Sequence, residues 1–175
     1  MIRIGLFVLG LVLATPALAD DGAAMQAAAN GFYGVYKSLH PSDGVPDASL
    51  RARFAPYVSA TLDGLMKAAG DSRDRFAAAH SDSPPLAEGD LFTSLFEGAS
   101  ALSVGACTGD GRTGQCTVSC TYTEPAAKPV TWSDTVLLVN TPAGWRVDDI
   151  AYGGTWAFGN KGRLSSTLRQ VASFQ

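Results

Sequence analysis

Trp132-x-Asp134 is the pairing in this chain best suited to chemistry. A carboxylate held in an apolar cavity keeps its proton to higher pH and can act as a base near neutrality. Asp134 is the candidate base. A tyrosine hydroxyl from Tyr33, Tyr36 or Tyr122 is the candidate electrophile, and Asp149 completes the polar groups a pocket would gather. That set would serve a small lyase or isomerase. The same residues have a plainer reading, with the tyrosines and Trp132 in the core and their polar tips satisfied. The aspartates are then solvated or hydrogen-bonded to backbone. Aspartate is rarely buried unpaired, which favours the plainer reading.

Other constellations are weaker. His40 and His80 are far apart, each at an expected helix end, where a charged imidazole suits the helix dipole better than a metal. The serines have no G-x-S-x-G setting. The glycines of Gly105–Gly114 and Gly153–Gly162 match no phosphate-binding pattern, and the second group reads as a mobile connector. No metal or cofactor is implied. Cys107, Cys116 and Cys120 read as disulfide chemistry, with three-thiolate zinc binding as the minor alternative. Cys116 and Cys120 lie four apart on one strand, about 13 Å, beyond disulfide reach. The expected pair is Cys107–Cys116, across a turn-rich hairpin, with Cys107–Cys120 second. Strand alternation turns Cys107 outward, so this pairing needs a bulge near Gly105. The remaining cysteine becomes a small buried hydrophobe.

The N-terminus sets the expected compartment. Arg3 precedes an apolar run over Ile4–Ala14, and Ala17-Leu18-Ala19 has small residues at both peptidase recognition positions. This reads as a secretory signal over residues 1–19, cleaved after Ala19, leaving one domain over 20–175. The run is too short to span a bilayer and Pro16 interrupts it. No lipid-attachment cysteine follows, so the expected product is periplasmic or secreted, with no membrane anchor. Of 13 Lys and Arg against 16 Asp and Glu, the leader removes Arg3, leaving 12 against 16, a net charge of −4. With no basic patch, nucleic acid is an unsuitable partner.

These residues need elements to hold them. Phe32, Val35, Tyr36 and Leu39 form one stripe of a helix over Met25–Leu39. Asp47 caps a second helix, with Leu50 and Phe54 inward. Pro56 either kinks it or opens the next, where Val58, Leu62, Leu65, Met66 and Ala69 make a stripe that Gly70 should end. Asp71 would cap a short extension to Ala79, before breakers at Ser81–Pro85. Gly89–Gly98 is either a single turn capped by Asp90 or an irregular strand. The period then becomes two. Ala99–Cys107, Gln115–Glu124, Val130–Asn140 and Gly144–Tyr152 read as an antiparallel meander, and Leu164, Leu168 and Val171 as a short C-terminal helix. A bulge at Asp148-Asp149 would place Trp145, Val147, Ile150 and Tyr152 on one face and both carboxylates on the other, removing Asp149 from the pocket.

The fold class is therefore α+β, three helices on a curved four-stranded meander, an order similar to that of the nuclear-transport-factor-2-like, cystatin-like roll. Phe32-Tyr33-x-x-Tyr36, Arg53-Phe54-x-Pro56-Tyr57, Gly89-Asp90-Leu91-Phe92-Thr93-Ser94, Trp132-x-Asp134 and Gly144-Trp145-Arg146-Val147-Asp148-Asp149-Ile150 together resemble an uncharacterised family of exported bacterial proteins. The resemblance implies a fold and a compartment, and no reaction. Rolls of this type often enclose a pocket between sheet and helices, and often dimerise through the sheet. The strand around Val136 and Leu138 is apolar on both faces, so Trp132, Val136 and Leu138 are the expected interface for a second copy or an envelope partner. The leading expectation is a non-enzymatic accessory protein that binds a protein or a small apolar ligand. A lyase or isomerase using Asp134 is the alternative.

Overall fold

In the computed structural model, residues 19–39, 44–81 and 87–174 are described. The expected signal segment, apart from Ala19, lies outside these residues, as do His40 and most of the breaker cluster. The element order is α1 (Ala19–Tyr36), α2 (Ala48–Phe54), α3 (Ala60–Ala79), β1 (Ala101–Gly109), β2 (Thr113–Tyr122), β3 (Val130–Thr141), β4 (Gly144–Ala151) and α4 (Leu164–Ala172). The strands form one antiparallel sheet in the order β1-β2-β3-β4. The α+β order of helices followed by a meander is thus observed. No helix among the described residues is long and apolar enough to cross a membrane.

Local chemistry explains most boundaries. The Asp47 carboxylate accepts from Leu50 N at 2.7 Å and starts α2. Pro56 lies between helices, and Ser59 caps α3 by accepting from Leu62 N at 3.0 Å. Gly70 does not end α3, which continues unbroken to Ala79. A Cβ there would lie 3.6 Å from the Pro46 carbonyl oxygen, an ordinary contact, so the helix does not require glycine at this position. His80 ends that helix, its ring stacked on Phe76 at 4.5 Å.

Two bulges set which residues face inward. Pairing slips between Val104 and Cys107, which brings Cys107 opposite Cys116, and the two are joined by a disulfide. Cys120 stays free and buried. In β4, Val147 pairs with Leu138 and Asp149 with Leu137, so Asp148 is the extra residue. Trp145, Val147 and Ile150 consequently all face the core. Asp149 points to the other side, yet it is buried too, because α4 covers it. It accepts from Ser165 N at 2.9 Å and from Ser165 Oγ at 2.7 Å.

The core lies between the sheet and the helices. Phe32, Phe54 and Phe92 pack with ring centroids 4.9 to 5.5 Å apart, a grouping that adds about 0.5–1.5 kcal/mol per pair beyond area burial. Val136 and Leu138 belong to this core, at 0% and 2% exposure. The expected interface is therefore corrected: their side chains meet the protein's own interior and no partner can reach them. Of that trio, Trp132 alone keeps some exposure. The free edge of β4 is also closed, since Ser59 N donates to Val147 O and Val147 N donates to Tyr57 O, both at 2.8 Å.

Candidate functional site

Four of the six residues expected to line a pocket instead gather at one buried strap, Gly89–Gly98. It is neither a helical turn nor a strand. Glycines at φ 75° and 80°, Gly89 and Gly98, take the chain into and out of it. The Asp90 carboxylate accepts from Phe92 N at 2.8 Å, and Asp90 N donates to Phe96 O at 2.9 Å, which closes the segment on itself. Leu91 and Phe92 fill the space between helices and sheet.

A buried segment without regular structure must find partners for its carbonyls elsewhere. Asn160 Nδ2 donates to Asp90 O at 2.6 Å and Thr93 O at 2.7 Å, and Asn160 N donates to Ser94 O at 2.8 Å. Tyr152 donates to Leu91 O at 2.7 Å, and Tyr33 to Phe92 O at 3.4 Å. Every carbonyl from Asp90 to Ser94 is met from outside the strap. Tyr33 and Tyr152 are held well above the ordinary phenol range by burial, so they remain donors.

Two carboxylates grip the strap. Asp134, 1% exposed, accepts from Ser94 N and Gly153 N at 2.9 Å, from Trp132 Nε1 at 3.0 Å, and from the Ser94 hydroxyl. Four donors occupy it, and no room remains beside it for a substrate proton. Asp90 accepts from Tyr36 OH at 3.1 Å and from the Thr93 hydroxyl, besides Phe92 N. Burial pushes the Asp90 carboxyl up to about 6 against the opposing pull of those donors. Tyr36 is pushed well up by burial and by the neighbouring Asp90 charge. Neither aspartate has an ion-pair partner among the described residues. Cys120, pushed up to about 12 by burial, stays a thiol.

Of the six expected pocket residues, Tyr33, Tyr36, Trp132 and Asp134 converge on the strap. Tyr122 lies at the end of β2, beside Val130 and outside this network. Asp149 anchors α4. Asp90, Ser94, Tyr152 and Asn160 were not anticipated in these roles. The polar residues Asp90, Thr93 and Ser94 interleaved with Leu91, Phe92 and Leu95 were the available signal for the first two. The glycine-rich segment is anchored at its start, since Gly153 N and Gly154 N are both bonded and a Cβ on Gly153 would lie 2.1 Å from Ser133 O.

Beyond the strap, the sheet ends in a partly open aromatic rim. Trp132 and Trp156 meet edge to face at 5.2 Å. Tyr122 and Val130 continue that strip along paired strands. Phe158, on the glycine-rich segment, is 93% exposed. No protein-family model matches the chain, and no curated protein matches it.

Proposed function

We propose that this chain is a non-enzymatic, exported accessory protein of cystatin-like roll type, working by binding at the rim formed by Trp132, Trp156, Tyr122 and Val130. The occupancy of Asp134 by four donors carries this reading. A general base must reach a substrate proton, and this carboxylate is spent on holding the strap. The same observation weighs against a lyase or isomerase built on Asp134. The Cys107–Cys116 disulfide supports export, and the small residues of Ala17-Leu18-Ala19 support cleavage after Ala19.

The rim supports binding because its rings are held in place before any target arrives. Trp132 is pinned through Nε1 by Asp134, and Trp156 is set against it. Immobilised aromatic side chains lose little entropy on binding and recur as interface anchors. Native mass spectrometry of the chain recovered from an oxidising compartment tests this. The reading expects a retained mass that disappears in Trp156→Ala while the fold persists. Retention unaffected by Trp156→Ala would overturn the rim as the binding surface.

A further inference from the structure

We propose that Gly89–Gly98 is a proton-linked strap, closed more firmly when Asp90 carries a proton and released more readily when it is ionised. This is independent of what binds at the rim. The geometry has three parts. The strap has hardly any regular backbone pairing of its own and is held by side-chain donors on surrounding elements. It turns on glycines in the left-handed region at both ends. Its own acid, 5% exposed, sits at the entry and bonds α1 through Tyr36.

The groups facing Asp90 leave its charge uncompensated. Tyr33 and Tyr36 approach from α1, Cys120 from β2, and Tyr152 from the segment after β4. None is a cation. Burial holds the phenols and the thiol protonated through the acid and neutral range. A protonated Asp90 can donate to the Thr93 hydroxyl, which both gives and accepts, so closure survives neutralisation.

The direction follows from linkage. Asp90 titrates near 6 in the closed state and near 3.8 when solvated. The closed strap binds the proton more tightly, so closure is favoured most below 3.8 and loses that advantage as pH rises through about 6. The opening equilibrium should increase by about 60-fold between pH 4 and 7 and level off above that, within a full span of about 160-fold set by those two values.

Amide hydrogen exchange of the full chain, corrected for intrinsic rates, measures this. Phe92 N and Ser94 N should exchange by a local opening faster than Val118 and Val136 in the core strands. That opening should rise with pH as above and be flat in Asp90→Asn. Tyr36→Phe keeps the ring but removes a donor that lowers the Asp90 value, so its midpoint should move to higher pH. This variant decides the matter even where Asp90→Asn fails to fold. A pH-independent opening in the natural chain, an unmoved midpoint in Tyr36→Phe, or strap amides exchanging only in step with the core would each overturn the proposal.

Discussion

Trp132 shows how one side chain serves two purposes. Its ring belongs to the open rim, and its Nε1 is one of four donors on Asp134. Trp132→Phe keeps most of the ring and removes that charge-assisted bond. It should lower stability by about 1–2 kcal/mol in urea unfolding. Glycines divide just as clearly by what a methyl group would meet. At Gly153 a Cβ would lie 2.1 Å from the Ser133 carbonyl oxygen, so Gly153→Ala should destabilise by about 1–3 kcal/mol through overpacking. At Gly34, exposed on α1, nothing lies within 4 Å. Gly34→Ala should raise the thermal midpoint, worth about 0.5–1 kcal/mol by helix propensity. Equal effects at the two glycines would refute this division.

Elements were legible where their causes are local. Asp47 caps α2 as its type and position indicate, and the bulges at Val104/Cys107 and at Asp148 follow from which side chains had to share a face. Gly70 misled because a glycine inside a helix costs only about 1 kcal/mol relative to alanine, and burial of Leu62, Met66 and Ala69 carries α3 through it. Val136 and Leu138 misled for a related reason. A strand apolar on both faces does not say which face the helices cover, and the covered one holds this pair. The disulfide staples β1 to β2 across a sequence separation of 9. Replacing both partners, Cys107→Ser with Cys116→Ser, should cost about 2–3 kcal/mol by loop closure. Matched denaturant curves of the oxidised natural chain and the double variant measure that difference. An unchanged midpoint would show that the hairpin needs no staple.

At the scale of the whole molecule, the space between helices and sheet is filled by part of the chain itself. Leu91 and Phe92 occupy it, and Tyr33, Tyr152 and Asn160 meet the carbonyls that this arrangement leaves without regular pairing. The helix-then-meander order could be read from hydrophobic periods, whereas the strap could not. Its partners come from positions 40 to 70 residues away, and no local pattern announces Asn160 or Tyr152 as donors. The candidate residues Tyr33, Tyr36, Trp132 and Asp134 were found by type, and their purpose became visible only with the strap between them. Asp134 serves the molecule as a structural acceptor. Urea unfolding of Asp134→Asn tests it most directly, because the amide turns a donor toward groups that already donate. The expected loss is about 2–4 kcal/mol. Stability within about 0.5 kcal/mol of the natural chain would contradict it.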